Sequence, residues 1–251
     1  MIKVNNLSFS YRKNKKVLQG VSFEIKEGEC VVLLGPNGVG KSTIINCLTG
    51  VNKVKEGDII FDDKSIKEIK SKDYASLIAY VPQLINGNDL TVKEVITLGR
   101  LPYYYVYPNK NDLEKVDKII KEFHLEDIKD EITSEISGGE RQKVAIARSF
   151  IQDAKTIIFD EPTSNLDIAS QVNIISLIKE ECKKYNKSSL VSMHDINQAL
   201  DIGDTFVFLK DKSVYKVCKK EEITPELLYE VYGIKSQLIK TEQGGYFIYE
   251  K

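Results

Sequence analysis

The chain has 251 residues, with 36 basic and 37 acidic side chains and a formal net charge of -1. This length predicts one α/β domain with an insertion, and the balanced charge argues against a broad basic surface for nucleic acid. No apolar run approaches the ~18–20 residues needed to span a bilayer, and residues 1–6 lack the apolar region of a signal peptide. We therefore expect any membrane role to require another chain. The four cysteines are scattered without a metal-binding spacing, which predicts a reduced cytosolic protein without disulfides or zinc.

The first predicted strand carries Leu7, Phe9 and Tyr11 in alternation with polar residues. Tyr11 ends this strand beside a basic stretch, residues 12–16. An exposed aromatic ring there can stack on an adenine base, whereas the alternative is an ordinary half-buried strand residue. The neighbouring glycine-rich loop favours the adenine interpretation.

That loop follows an apolar run from Cys30 to Leu34 and leads into a helical pattern that stops at Gly50. Glycines let the backbone wrap closely and direct several N–H groups at one anion, and the helix N-terminus adds a partial positive charge. In this context Lys41 is expected to reach the β- and γ-phosphates, and the Ser42 hydroxyl to ligate Mg²⁺. The predicted phosphate-binding residues are Gly35, Pro36, Asn37, Gly38, Val39, Gly40, Lys41, Ser42 and Thr43.

Two further short strands are predicted at Gly57 to Phe61 and Ile78 to Val81. The second ends at Pro82, which stops the ladder, and places Gln83 at the end of a core strand. Gln83 is a candidate to contact Mg²⁺ or the attacking water; taken alone, it also fits an ordinary turn residue.

From Asn86 the pattern becomes helical, with an amphipathic stripe that begins at Leu113. Between two helical segments lies a run with four tyrosines among residues 103–107, bounded by Pro102 and Pro108. Tyrosine-rich exposed segments are typical of partner surfaces, while a loop packed on its own helices fits equally well. Composition leaves both alternatives open.

Ser137, Gly138, Gly139 and Glu140 open the next helix as a capping box. Two glycines at a helix N-terminus also make a second anion site by the same physics as the first. Since the chain's own phosphate loop already accounts for one nucleotide, this second site is predicted to face a nucleotide held by another subunit.

A buried-strand run, Thr156 to Phe159, ends in Asp160 and Glu161. Carboxylates at the carboxyl end of a parallel strand lie where α/β sheets bind ligands. Asp160 is predicted to hold Mg²⁺ through water and Glu161 to act as general base; the alternative is a solvated pair. A turn ending in Asp167 follows, and then a helical stripe that begins at Val172.

A last core strand, Ser189 to Met193, delivers His194, which is placed to hydrogen-bond the γ-phosphate and sense it. His124 has no such setting and is interpreted as a helix-end residue. Downstream, a hairpin over residues 206–217 and a short helix starting at Pro225 and ending at Gly233 are predicted.

In this order the motifs resemble those of the ATP-binding subunits of ATP-binding-cassette (ABC) transporters, over essentially the whole chain. Residues 35–43 resemble the Walker A motif, Gln83 the Q-loop glutamine, residues 137–142 the ABC signature, residues 156–161 Walker B, residues 164–167 the D-loop and His194 the switch histidine. Two departures are mild: Ile136 stands where the family usually has Leu, and Glu140 where many members have Gln.

The resemblance implies an α/β P-loop NTPase with a RecA-like core, an antiparallel β-subdomain, a helical insertion over about residues 84–151 and a C-terminal tail over about 211–251. It implies ATP and Mg²⁺ as cofactors, with Ser42, Gln83 and Asp160 at the metal and Glu161, His194 and Gln83 in catalysis. The nucleotide contacts it implies are Tyr11, residues 35–43, Ser137, Gly138, Gly139 and Asp167. It further implies a head-to-tail homodimer, membrane permease subunits as partners, an indirect substrate-binding protein, and a place on the cytoplasmic face of a prokaryotic cell membrane.

A narrower resemblance rests on Leu98 to Tyr103, His194 to Ala199 and Thr224 to Gly233, which are similar to segments of iron-chelate and cobalamin importer ATPases. It favours uptake of a siderophore, haem or cobalamin, and it favours the partner interpretation of the tyrosine-rich segment. A soluble ABC ATPase, such as an iron–sulfur assembly subunit, shares the catalytic motifs and is the main alternative. A P-loop kinase explains Lys41 and Asp160 but leaves the Ser137 segment without a purpose.

Overall fold

The structure is a computed structural model that describes residues 1–12, 15–104, 107–241 and 244–250. Tyr105 and Val106, in the predicted tyrosine-rich segment, lie outside the described residues. In chain order the strands are β1 Ile2–Arg12, β2 Lys15–Ile25, β3 Cys30–Leu34, β4 Glu56–Phe61, β5 Lys64–Ser65, β6 Ile78–Val81, β7 Thr156–Asp160, β8 Ser188–Ser192, β9 Thr205–Lys210, β10 Ser213–Cys218, β11 Ser236–Thr241 and β12 Gly244–Tyr249. The α-helices are α1 Lys41–Leu48, α2 Ser71–Leu77, α3 Val92–Thr97, α4 Lys110–Glu122, α5 Gly138–Ile151, α6 Ile168–Lys184, α7 Ile196–Ile202 and α8 Pro225–Tyr232.

The residues group into two compact units, one formed by residues 1–69 with 188–251 and the other by residues 70–187. The first unit contains an antiparallel sheet in the order β2-β1-β4-β5. Alternating residues of β1 and β2 are buried, as the sequence pattern predicts for strands with one apolar face.

The same unit also contains parallel pairing, because β3 pairs with both β8 and β9 in parallel and β10 pairs antiparallel with β9. All five residues of β3 are buried, which explains why its sequence is a continuous apolar run rather than an alternation. The strands predicted at Cys30 to Leu34 and over residues 206–217 are confirmed. The phosphate loop begins where β3 ends, at the carboxyl edge of this parallel set.

The second unit is mainly helical, with β6 and β7 paired in parallel. Three of its helices begin with side-chain caps: Thr91 before α3, Asn109 before α4 and Ser137 before α5. The capping box predicted at Ser137 is confirmed. Asp167 caps the N-terminus of α6. These caps satisfy the first free N–H groups and fix where each helix starts.

Among the described residues, none of the helices is both long enough and apolar enough to cross a membrane. All four cysteines are buried.

Candidate nucleotide site

The loop between β3 and α1 is shaped by glycines whose backbone angles exclude other residues. Gly35 and Gly40 have φ values of 146° and 122°, in a region that side chains with a Cβ rarely adopt. A Cβ on Gly35 would meet the Leu209 carbonyl oxygen at 2.6 Å, and one on Gly40 would meet Leu18 Cδ2 at 2.5 Å. The loop therefore needs glycine at both positions to wrap closely, as an anion-binding loop requires.

Lys41, the charged residue of this loop, is buried, since it is only 5% exposed. Its ammonium donates a hydrogen bond to the Gly35 carbonyl oxygen at 2.8 Å and lies 3.5 Å from His194 Nδ1. The Lys41 side chain is therefore folded back onto Gly35, the first residue of the loop. The structure brings together Lys41 and His194, two residues that the sequence places 153 positions apart.

Helix α1 begins at Lys41 without a side-chain cap, so its first N–H groups are available to a bound anion. The Ser42 side chain lies on the exposed side of this first turn, whereas Thr43 is buried. This arrangement suits a serine hydroxyl that faces a metal-bound phosphate.

Tyr11 is 60% exposed and lies beside the same helix. Its hydroxyl is 3.4 Å from Thr43 Oγ1 and accepts a hydrogen bond from Asn52 Nδ2 at 3.4 Å. The hydrogen bonds to Thr43 and Asn52 lower the pKa of the Tyr11 phenol. Its ring packs edge-on against Phe9, with centroids 5.0 Å apart. The ring is therefore fixed but still accessible, as a stacking platform for a base must be.

A cavity of about 850 Å³ opens beside Tyr11. Four cationic side chains line it, against the single carboxylate of Glu56. This local positive charge favours an anionic ligand, although the chain as a whole is nearly neutral. The four cations are Arg12, Lys16, Lys53 and Lys55.

In the second unit, the carboxyl end of β7 places Asp160 and Glu161 side by side. Gln83 Nε2 donates a hydrogen bond to Glu161 Oε2 at 2.6 Å, so two of the predicted catalytic residues are in contact. Glu161 has a positive φ of 48°, a strained conformation that is common at functional sites.

Asp160 is 7% exposed and accepts a hydrogen bond from the Tyr80 hydroxyl at 3.4 Å. Burial, aided by the negative charge of Asp160, raises the pKa of Tyr80 to about 12. Tyr80 therefore stays protonated and can donate to the carboxylate at any physiological pH. The sequence analysis did not predict a role for Tyr80 at this site. The feature that could have pointed to it is its position in the predicted strand, two residues before Pro82.

The start of α5 carries the second predicted anion site. Ser137 accepts from the Glu140 N–H at 3.3 Å, while its own N–H and hydroxyl donate to Glu140 Oε2 at 2.8 and 2.6 Å. The Ser137 hydroxyl and N–H lower the pKa of Glu140, so this group is a carboxylate at neutral pH.

The two glycines of this site lie against the turn before α6. A Cβ on Gly139 would approach Ser170 Oγ at 3.0 Å, and one on Gly138 would contact Leu166 at 3.8 Å. Ser170 in turn donates to both carboxylate oxygens of Asp167, at 2.9 and 2.7 Å. Ser137, Gly139 and Ser170 line a cavity of about 400 Å³, and Asp167 is joined to it through its hydrogen bonds with Ser170.

The segment Leu98–Tyr103 is held by a buried ion pair that the sequence did not reveal. Arg100, 5% exposed, donates from Nε to Asp112 at 2.9 Å and from Nη1 to the Ile151 carbonyl at 3.1 Å. The guanidinium also lies 3.9 Å from the centroid of the Tyr103 ring. Tyr103 itself donates to the Gln152 carbonyl at 2.7 Å.

Next to this anchored segment, Leu101 is 53% and Tyr107 is 83% exposed. One side of the segment is thus packed on its own unit, while apolar and aromatic side chains remain accessible. The role of this segment as a partner surface stays a prediction.

The donors available for Mg²⁺ are oxygen atoms, the type that this ion prefers. In the first unit such an oxygen is the exposed Ser42 hydroxyl. In the second unit they are the Asp160 carboxylate and the Gln83 amide. Among the described residues no cluster of three acidic, histidine or cysteine side chains could hold a metal unaided.

Comparisons with known proteins show the family to which the chain belongs. The family model described as ABC transporter matches residues 18–164, more than half of the chain. An uncharacterised ABC transporter ATP-binding protein of Methanocaldococcus jannaschii is 39% identical over 95% of this chain and 93% of its own length. The petrobactin import ATP-binding protein of Bacillus anthracis is 35% identical over 98% of this chain and 92% of its own length.

Among solved structures, a dimeric ATP-binding cassette in a post-hydrolysis state, bound to ADP and phosphate, is similar with a TM-score of 0.77. It is 29% identical, and the match covers 89% of this chain and 100% of that one.

Proposed function

Since the chain belongs to the ABC transporter family, as its ATP-binding and ATP-hydrolysing subunit, we propose that it powers the import of an iron chelate through a membrane permease. The observation that carries the ATPase function is the glycine loop with Lys41, 5% exposed and held at its mouth. The import function is supported by the petrobactin-importing relative. The chain would act at the cytoplasmic face of the membrane, attached to the permease.

In the proposed mechanism the loop residues 35–43 bind the phosphates through backbone N–H groups. Lys41 exchanges its bond to the Gly35 carbonyl for the β- and γ-phosphates, and Tyr11 stacks on the adenine. His194, which faces the Lys41 ammonium, hydrogen-bonds the γ-phosphate.

Ser42, Gln83 and Asp160 would hold Mg²⁺, which when bound neutralises charge on the phosphate oxygens. Glu161 accepts a proton from the attacking water, a role worth about 10²–10⁴-fold in rate. Gln83 orients that carboxylate through the bond seen at 2.6 Å.

Ser137, Gly138, Gly139 and Asp167 would complete the site of a second copy of the chain. Helix α5 offers its N-terminus there, and the relative solved with ADP and phosphate is dimeric. Each ATP would then lie between Lys41 of one copy and Ser137 of the other. Closure needs the γ-phosphate, and hydrolysis reopens the pair, which drives the permease between its two states.

The substrate class is proposed from the named relatives and from the segment Leu98–Tyr103. A siderophore is favoured because a relative 35% identical to this chain is named for petrobactin import. Haem and cobalamin are the alternatives within the same importer class, and an indirect substrate-binding protein would deliver the ligand. The segment Leu98–Tyr103, anchored by Arg100 and flanked by exposed Tyr107, is the proposed permease contact.

The first experiment is an ATPase assay on the purified chain without any phosphate acceptor. Wild-type protein should release phosphate, and Glu161→Gln should still bind ATP while hydrolysing it at least ~10²-fold more slowly. Glu114→Gln, which removes an exposed carboxylate of α4, is the matched control and should behave as wild type. Wild-type turnover in Glu161→Gln would disprove the general-base role, and hydrolysis that requires an acceptor would indicate a kinase.

The transport assignment is tested by affinity purification of the tagged chain from detergent-solubilised membranes, followed by mass spectrometry. A polytopic membrane protein in comparable amount is expected. Recovery only from the soluble fraction with cluster-assembly proteins would favour the soluble ABC ATPase instead.

A further inference from the structure

The C-terminal hairpin is fastened to the helix that follows His194. Asn197, in the first turn of α7, donates from Nδ2 to the Phe247 carbonyl at 3.1 Å. The Phe247 N–H donates back to Asn197 Oδ1 at 2.8 Å. One side-chain amide thus satisfies both backbone groups of a single β12 residue, whose own side chain is 3% exposed. A two-point contact of this kind fixes orientation as well as distance.

Two other residues of the C-terminal segment lie against the same region. Burial raises the pKa of Tyr249, and the negative charge of Asp195 adds to this shift. Burial raises the pKa of Tyr232 in α8, and the backbone of Gly35, the first residue of the phosphate loop, lies close to its hydroxyl and opposes that shift. The hydrogen bonds between Asn197 and Phe247 therefore join the hairpin to the start of α7.

Only a few residues of the capped first turn of α7 separate His194 from the hairpin contact at Asn197. Asp195 caps α7 by accepting the N–H groups of Asn197 at 2.7 Å and Gln198 at 3.1 Å. Ile196 is only 2% exposed. His194 stands directly before this capped turn, with Nδ1 3.5 Å from the Lys41 ammonium. A shift of the first turn of α7 would therefore move the imidazole relative to Lys41.

Neither helix α7 nor the β11–β12 hairpin is expected to be stable as an isolated peptide. A seven-residue helix such as α7 is marginal in water, and so is an isolated two-stranded hairpin such as β11–β12. Buried apolar side chains such as Ile196 pack α7 onto its unit, and the hydrogen bonds between Asn197 and Phe247 tie the first turn of α7 to the hairpin.

We propose that Asn197 is a positioning residue for ATP hydrolysis, which holds His194 in place by clamping α7 to the C-terminal strand β12. This inference rests on the proposed role of His194 at the γ-phosphate. The clamp acts on the hydrolytic step, because the phosphate loop and Tyr11 bind the nucleotide without it. A partner protein that displaced the hairpin would lower turnover without releasing ATP.

The test is a double-mutant cycle on the full-length chain, using Asn197→Ala, His194→Ala and the combination of both. Turnover is measured at saturating ATP and nucleotide affinity by fluorescence titration. Asn197→Ala should lower kcat on the order of tenfold, since two hydrogen bonds are lost, and leave nucleotide affinity within about twofold. In the His194→Ala background the same substitution should change kcat by less than about twofold, because the residue it positions is gone.

Two further variants separate positioning from general destabilisation. Asn197→Asp keeps the acceptor for the Phe247 N–H but replaces the donor to the Phe247 carbonyl by a carboxylate oxygen, and it should lower kcat in the same direction without loss of folding. Gln237→Ala removes an exposed hydrogen bond to Glu250 within the same hairpin and should leave kcat unchanged.

The outcomes are distinguishable. An equal loss of kcat from Asn197→Ala in both backgrounds, or unchanged kcat in the wild-type background, would overturn the positioning role and leave the proposed function standing. Wild-type turnover in His194→Ala would instead remove His194 from the proposed mechanism, and the inference about Asn197 would fail with it.

Discussion

Removal of the Arg100 guanidinium tests how the segment Leu98–Tyr103 is held. The side chains of Arg100 and Asp112 are 6% and 2% exposed, and 2.9 Å separates the bonded nitrogen and oxygen atoms. Arg100→Met leaves Asp112 as a buried carboxylate without its cation, and breaking a buried pair in this way costs about 3–5 kcal/mol. At about 2–4 °C per kcal/mol for a chain of this size, the midpoint of thermal unfolding should fall by about 6–20 °C.

The assay is thermal and urea unfolding of Arg100→Met, Asp112→Asn and the double variant. Asp112→Asn keeps a polar side chain that accepts from the Asn109 N–H, which Asp112 now does at 3.3 Å, but it removes the charge. In that background Arg100→Met should cost at least about 2 kcal/mol less than in the wild type, because no unpaired charge is left behind. A cost below about 1 kcal/mol, or the same cost in both backgrounds, would refute the claim that this ion pair holds the segment.

Three further outcomes are expected. Ser137→Arg should leave ATP affinity of the monomer nearly unchanged and block ATP-driven dimerisation in light scattering; equal loss of monomer binding would place Ser137 in its own subunit's site. Tyr11→Ala should weaken ATP and GTP binding alike, because stacking tolerates either base, and unchanged affinity would remove Tyr11 from the site. Gly35→Ala should destabilise the loop and abolish nucleotide binding, since its Cβ would meet the Leu209 carbonyl at 2.6 Å; retained binding would show that the backbone there can shift.

Much of the site could be predicted because its signals are local in the chain. The apolar run Cys30 to Leu34, the glycines after it and Lys41 form one continuous stretch, and the structure places them as strand, loop and helix start. The cap at Ser137 could equally be predicted, because a capping side chain lies within three residues of the N–H group from which it accepts a hydrogen bond.

The contacts that were missed join distant residues. Leu113 was predicted to begin a buried stripe, but it is 39% exposed and Asp112 is buried in its place. A carboxylate in an apolar stripe becomes acceptable only because Arg100 neutralises it, and no periodicity reveals that partner. Likewise, Val172, where a helical stripe was predicted to begin, is 58% exposed, and the buried side of that helix begins at Ile174 and Ile175.

The bond between Asn197 and Phe247 spans 50 residues and uses backbone atoms of Phe247, so the identity of that side chain carries no signal for it. Helix α2 was missed because residues 71–77 are too few to show a clear period.

The central claim is that ATP hydrolysis by this chain drives uptake of an iron chelate. The most direct measurement is accumulation of radioactive iron, supplied as a siderophore complex, in source cells that lack the chain and carry either wild type or Glu161→Gln. The account predicts that wild type restores uptake and that Glu161→Gln does not, at equal protein levels. Uptake that persists without the chain, or that Glu161→Gln restores fully, would contradict it.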